Sequence, residues 1–366
     1  MKIGILTFHT ALNVGAQLQA LALFKTLRIL GHDVSLIRYE PKYLSKQYSF
    51  FRNAKISNGL TSFIKQILLH VIFDTFTYIQ TMLHYSKFQN KFLRFSLNKF
   101  YKPAELANSD FDAIIVGSDQ IWNPEITYGC LDPMYTLQFS SNKIRKISYA
   151  ASFSEKYIKK NDAEKLVESL KTFYAISVRE EELKRYLSSI SNLKIEVVID
   201  PTLLLSKNNW LAIMPKKRII KERYVLLYQA RGEKRKIYQQ VVDLAKRLNA
   251  SVYDASGMNY RIRKHGKQYV SPIEFLNLIY FAEAVVTVSF HGTALSVILE
   301  KPFFSICLND GRDGRVFNLL RTLGLTSQLK SLGEHLPFPN IDYSKVCKHL
   351  EVARESSLSF LNKALS

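Results

Sequence analysis

One stretch of the chain sets a histidine directly before a glycine and a threonine: Ser289-Phe290-His291-Gly292-Thr293, at the end of the apolar run Ala284 to Ser289. A helix whose first turn is Gly292-Thr293 offers free backbone N–H groups to an anion, and its dipole favours negative charge there. His291, beside such a site, is of the type that donates a proton near neutral pH; the alternative is a histidine capping its own helix. Arg179 follows the apolar run Tyr174 to Val178. A guanidinium there can hold a phosphate or carboxylate through two parallel hydrogen bonds, or it can pair with Glu180 or Glu181. Asp119, with Gln120 next to it, closes the run Phe111 to Gly117; it suits a base, a hydroxyl-binding carboxylate or a turn cap. Asn13 and Gly15 fall in the loop after the first apolar run, where a glycine lets backbone approach a ligand. Gln17 follows in the next helix.

The elements that must position these residues alternate as strand and helix. Residues 3–8 read as a strand, Ala16 to Leu30 as a helix rich in Ala, Leu and Gln, and Asp33 to Tyr39 as the next strand. This βαβ unit predicts a parallel sheet. Further strands are expected at 111–117, 146–151, 174–178 and 195–199. A second α/β set has strands at 224–229, 251–254, 284–289 and 302–307. Ser271-Pro272-Ile273-Glu274 forms a capping-box helix start. The expected architecture is two doubly wound, Rossmann-like halves facing across a cleft. They comprise an N-terminal domain over 1–205, a basic linker at 206–222 containing Pro215, a C-terminal domain over 223–342 and a closing helix at 343–366. Ligands of open parallel sheets bind at the carboxyl ends of strands, and all four polar clusters fall there. Asp110-Phe111-Asp112, which resembles an Asp-x-Asp metal site, precedes its strand and reads as a turn. Neither the G-x-G-x-x-G nor the Walker A loop occurs, so nucleotide binding of those kinds has no support.

Composition narrows the classes further. The 366 residues suit two domains, and 47% apolar with 22% charged residues is the balance of a folded globular protein. Cys130, Cys307 and Cys347 lie far apart, fit no zinc spacing and are odd in number, so a reducing compartment is expected. Met1-Lys2 runs straight into a strand with no signal-peptide pattern, and no apolar stretch is long enough to span a bilayer; the expected location is cytoplasmic. The net charge of +20 is uneven: residues 42–102 hold ten basic residues against Asp74 alone, with fourteen aromatics. Phe88, Phe92 and Phe95, interleaved with Lys87, Lys91 and Arg94, read as a two-faced inserted helical region. It either docks on an anionic membrane surface or packs its aromatics on the domain and leaves its charges in water.

The ordered segments together resemble the polysaccharide pyruvyl transferase family from Ile3 to about Leu325. They are Thr7-Phe8-His9 through Asn13-Val14-Gly15-Ala16-Gln17, Phe111 through Gly117-Ser118-Asp119-Gln120-Ile121-Trp122-Asn123-Pro124, Ile147 through Phe153, Ile176-Ser177-Val178-Arg179-Glu180-Glu181, Asp200-Pro201-Thr202, and Ser289 through Ala294. The chain departs from the family pattern at Val14, Ser154, Val288 and Ser289. The resemblance implies a GT-B-like fold and transfer of pyruvate from phosphoenolpyruvate to a sugar as a ketal, with neither metal nor redox cofactor. It implies His291 as the acid, Arg179 as the anchor and Asp119 as a base. Phosphoenolpyruvate would meet Arg179, Ser289, His291, Gly292 and Thr293, with the C-terminal domain as its side of the cleft. The acceptor sugar, carried by a polysaccharide or a lipid-linked precursor, would meet Asn13, Gly15, Gln17, Asp119 and Gln120. The competing readings are a GT-B glycosyltransferase using a nucleotide sugar and, from charge alone, a basic nucleic-acid-binding protein; no nucleic-acid motif accompanies that charge, and no nucleic acid is expected as a partner.

Overall fold

The computed structural model describes residues 1–46, 79–127, 129–141, 143–153, 158–229, 234–256 and 270–366. Apolar runs form strands β1 (Lys2–Leu6), β2 (Asp33–Arg38), β3 (Phe95–Lys99), β4 (Ala113–Asp119), β5 (Arg145–Ala151), β6 (Ala175–Val178) and β7 (Ile195–Val197). They lie in one sheet in the order β3-β2-β1-β4-β5-β6-β7, parallel throughout. A second parallel sheet, in the order β12-β11-β10-β8-β9, takes β8 (Tyr224–Tyr228), β9 (Ser251–Asp254), β10 (Ala284–Thr287), β11 (Phe303–Cys307) and β12 (Leu329–Ser331). The helices of the first part are α1 (Val14–Ile29), α2 (Lys42–Lys46), α3 (residues 79–92), α4 (Pro103–Ala107), α5 (Lys160–Leu170), α6 (Glu181–Ser189) and α7 (Lys207–Ile213). Those of the second are α8 (Lys234–Arg247), α9 (Pro272–Phe281), α10 (Phe290–Ile298), α11 (Gly314–Thr322) and α12 (Tyr343–Leu365).

Strand order decides where a ligand can sit. In the first sheet the winding reverses between β1 and β4, and in the second between β8 and β10. Each reversal opens a crevice at the carboxyl ends of its two strands. The halves are joined by a continuous apolar core. Thirteen of the sixteen residues of α1 are buried, because α1 packs both on its own sheet and on α9; Leu18 and Leu21 share a core with Phe275 and Leu276. A helix apolar on all sides must be covered on all sides. Helix α12 returns to the first sheet, where the Ile199 N–H donates to Ser357 Oγ at 3.0 Å and Phe360 packs on Tyr149.

Two expectations change. The segment 206–222 is more than a linker: it contains α7, whose wholly buried Trp210 donates from Nε1 to the Thr202 carbonyl at 3.1 Å. The insert 42–102 is not wholly helical, since Phe95–Lys99 joins the sheet edge as β3, pairing Leu36 with Phe95 and Arg38 with Lys99. The two-faced helical spacing holds in α3, where Tyr85 and Phe88 are buried, Phe92 packs against the core, and Lys87 and Lys91 stay exposed. Residues 47–78 of the insert, with Phe63, Phe73 and Phe76, lie outside the described residues. Among the described residues no helix is long and apolar enough to cross a membrane.

Candidate active site

The two crevices face each other, and Arg179 lies between them. It leaves the end of β6 with its side chain only 3% exposed. Its Nη1 donates to Asp200 Oδ2 at 2.7 Å and its Nε to Glu180 Oε1 at 3.1 Å, while Nη2 lies 3.9 Å from Asp119 Oδ1. From the opposite domain Phe290 covers the guanidinium, 4.5 Å from ring centroid to Cζ. Arg179 thus pairs with Glu180, the neighbour that sequence reading offered, and with Asp200, which it did not. Two of its three nitrogens are held by carboxylates of its own domain, the ion-pairing alternative that the sequence left open. A buried guanidinium needs counter-charge at once, and only Nη2 is left without a hydrogen bond.

Asp200 is the hub. It caps the short 3-10 turn Pro201–Leu203 by accepting from the Thr202 N–H at 3.0 Å, and Oδ1 also accepts from the Thr202 hydroxyl at 2.7 Å. Oδ2 accepts from Arg179 and from Ser118 Oγ at 3.3 Å. His291 Nε2 stands 3.7 Å from that same oxygen, too far for a hydrogen bond and close enough for a charge pair. Burial works against an ionised Asp200, but His291, Arg179 and the Thr202 N–H outweigh it and hold the carboxyl well below the usual range. The opposite balance governs Glu180: burial pushes its carboxyl up, against the pull of Arg179, Arg315 and the Ser152 hydroxyl, which donates at 2.7 Å. Arg179 itself is desolvated, yet Glu180, Asp200 and Asp119 together raise its pKa.

Helix α10 brings His291 in. Ser289 caps it, accepting from the Gly292 N–H at 3.4 Å, and the Ser289 N–H is taken by Thr287 Oγ1 at 3.0 Å. The first-turn N–H groups of Phe290 and His291 have no acceptor inside the helix. Gly292 is required by close packing: a Cβ there would lie 2.3 Å from Thr287 Oγ1. The Thr293 hydroxyl is used internally, bonding the Ser289 carbonyl and Ser305 Oγ, and the residue is fully buried. Gly15 has the same kind of role across the cleft, since a Cβ on it would lie 2.1 Å from His291 Nδ1. The first turn of α1 is thereby set directly against the imidazole.

The remaining residues named from the sequence separate into two groups. Asp119 and Gln120 are partly exposed at the end of β4, with Asp119 Oδ1 accepting from the Gln120 N–H at 2.9 Å. Asn13 is partly exposed and caps α1 by accepting from the Ala16 N–H at 3.1 Å. Gln17 is wholly buried, and its amide donates to the carbonyls of His9 and Ala11; it shapes the loop from within. His9 is buried behind that loop with Nδ1 3.2 Å from the Thr7 carbonyl, and burial, only partly offset by that carbonyl, pushes it down to about 4. Sequence reasoning missed Asp200 and Ser118 as site residues, although both lie in segments that carried the resemblance. Their signal was position, three residues beyond β7 and at the end of β4. A cavity of about 220 Å³ lies beside Arg179 and Asp200, with Arg315, Asn318 and Arg321 also on its wall. Among the described residues no group of three or more His, Cys, Asp or Glu side chains is arranged to hold a metal ion.

Comparison with known proteins bears on both fold and family. The family model described as polysaccharide pyruvyl transferase matches residues 13–307. No curated protein sequence matches the chain significantly. Among solved structures, the chain is similar to a Listeria monocytogenes protein named as a UDP-N-acetylglucosamine 2-epimerase, at 12% identity and a TM-score of 0.52, covering 100% of this chain and 90% of that one. It is also similar to the UDP-GlcNAc 2-epimerase of Neisseria meningitidis bound to UDP-GlcNAc, at 13% identity and a TM-score of 0.50, covering 100% and 94%. At such identities the likeness concerns the fold alone, two facing parallel α/β halves of GT-B type.

Proposed function

Since the chain belongs to the polysaccharide pyruvyl transferase family, we propose that it transfers pyruvate from phosphoenolpyruvate to two hydroxyls of one sugar, in a polysaccharide or a lipid-linked glycan precursor. The products are a pyruvate ketal and phosphate. The observation that carries this reading is Asp200 Oδ2, which touches Arg179 at 2.7 Å and stands 3.7 Å from His291 of the opposite domain. One carboxylate oxygen thus gathers a proton-donor type and a cation at the meeting point of two crevices, where a small, multiply anionic enol phosphate is best served.

In this reading His291 gives a proton to the methylene carbon of phosphoenolpyruvate, making it a methyl group and leaving the central carbon electrophilic. Asp200 keeps a fixed negative charge beside the ring through that step. Arg179 Nη2 and the first-turn N–H groups of α10 hold the phosphate and carboxylate, with Ser289 at their edge. A sugar hydroxyl adds to the central carbon and gives up its proton to Asp119. The second hydroxyl then attacks the same carbon and passes its proton to His291, which had given one up; the carbon–oxygen bond to phosphate breaks, phosphate leaves, and the ketal ring closes. Asn13, Gly15 and Gln120 border the acceptor side, and the reaction is written with no cofactor.

The test is thermal stabilisation and turnover. Phosphoenolpyruvate should raise the melting temperature, nucleotide sugars should not, and phosphate should appear only when an acceptor glycan is present. His291→Ala should fold and lose roughly a hundredfold or more in turnover, the usual contribution of a general acid. Sugar transfer from a nucleotide sugar without phosphoenolpyruvate would overturn the reading.

A further inference from the structure

Helix α3 has two unlike faces. Its inward stripe, Tyr85 and Phe88 with Phe92, packs into the core. Its outward face begins with Ile79, Met82 and Leu83, which remain 48%, 46% and 48% exposed. Single exposed apolar residues need no explanation, but these three share one face at i, i+3 and i+4 spacing. Lys87 and Lys91 follow Leu83 at i+4 spacing along the flank of that face, both exposed, with Lys91 Nζ 5.2 Å from the centre of the Phe92 ring. No acidic residue occurs between positions 79 and 102. The helix is also fixed to the cleft. Gln89 Nε2 donates to the His9 carbonyl at 2.8 Å and to Gln17 Oε1 at 3.1 Å, inside the loop that sets Gly15 against His291. His84 Nδ1 lies 3.7 Å from Glu274 Oε2 on α9, in the other half.

We infer that the outward face of α3 docks on an anionic lipid bilayer, holding the mouth of the cleft at the membrane surface. An apolar end for insertion with lysines beside it is the composition that binds anionic interfaces. Charge complementarity selects this occupant: a second copy would bring Lys87 and Lys91 against like charge, and a nucleic acid has no use for the apolar triad. Lipid contact with α3 would deliver a membrane-anchored acceptor beside the β1–α1 loop. The inference concerns the surface alone, so it stands or falls separately from pyruvyl transfer.

The experiment is co-sedimentation of the full chain with phosphatidylglycerol vesicles and with phosphatidylcholine vesicles, at low and high salt and without substrates. Binding to the anionic vesicles only, weakened by salt, is expected. Each lysine removed in Lys87→Gln and Lys91→Gln should weaken binding about fivefold, the effect of one charge near such a surface. Met82→Ser with Leu83→Ser should weaken it even at low salt, with the melting temperature and the turnover of a soluble acceptor unchanged. Absence of binding, equal binding to neutral vesicles, or wild-type binding by both pairs of variants overturns the assignment. So does a self-association that the Met82 and Leu83 variants abolish.

Discussion

Arg179 illustrates how burial turns a ligand-binding type into a member of an internal network. Its guanidinium balances Asp200 and Glu180, and removing one partner of a buried pair costs about 3–5 kcal/mol because the other is left uncompensated. Arg179→Ala should therefore lower stability by that order, measured by denaturant unfolding, and also raise the phosphoenolpyruvate concentration needed for half-maximal rate. Arg179→Lys keeps the charge but loses the planar fork. It should recover part of the stability and little of the donor affinity. A donor Michaelis constant unchanged in both variants would leave Arg179 a purely internal ion-pair partner. His9 makes a prediction for pH. Its pKa falls from 6.5 to about 4 on folding, so between those values the unfolded chain binds the proton and the native chain does not. The contribution is complete above pH 6.5 and is lost as pH falls towards 4, a change of roughly 3 kcal/mol at most. Denaturant midpoints across that range should show the slope for the wild type, and His9→Asn should flatten it.

At the level of elements, the site depends on two helix starts pressed together. The N-terminal turn of α1 comes so near α10 that only a hydrogen fits on Gly15 Cα, since a Cβ there would lie 2.1 Å from the imidazole. The ring is confined by Asp200 and Phe290 and has little room to yield. Gly15→Ala is expected to cost about 1–3 kcal/mol through overpacking. It should also reduce turnover about a hundredfold, the effect of displacing a reacting group by about an ångström. Thermal melting and phosphate release on the same preparation separate the two effects; wild-type turnover would mean that His291 tolerates displacement. The strands contribute position alone. β1 and β6 lead directly into Thr7 and Arg179, and β4 ends at Asp119, because each apolar run stops there and the polar residue falls at the sheet's open edge.

The molecule as a whole behaves as one core with a cleft in it. The apolar cluster containing Ile3 and Leu18 of the first half also contains Phe275 and Val285 of the second, and α12 adds Phe360 and Leu361 to it. Two sheets sharing a core should unfold together, so calorimetry is expected to give a single transition. Phe360→Ala, which empties a site only 4% exposed, should lower the stability of that transition by about 3–5 kcal/mol without splitting it. Two resolved transitions would show that the halves are independent. This coupling also bears on the chemistry, because His291 and Arg179 are held by opposite halves and keep their spacing only while the shared core is intact.

Much of this was legible in the chain. Apolar periodicity marks strands and helices because burial acts residue by residue, and polar residues at strand ends mark an open edge in any parallel sheet. On that basis His291, Arg179 and Asp119 could be named, and the Ser271-Glu274 capping box could be read directly, since its hydrogen bonds span three residues. The order of strands within a sheet is set by pairings between segments distant in sequence, and only the folded chain contains them. That order decides which strand ends meet. It made Asp200 the hub, spent two nitrogens of Arg179 on carboxylates, buried Gln17, and turned Phe95–Lys99 from an expected helix into an edge strand. Each of these outcomes depends on which group lies within a few ångströms in space, and sequence spacing carries no record of that distance.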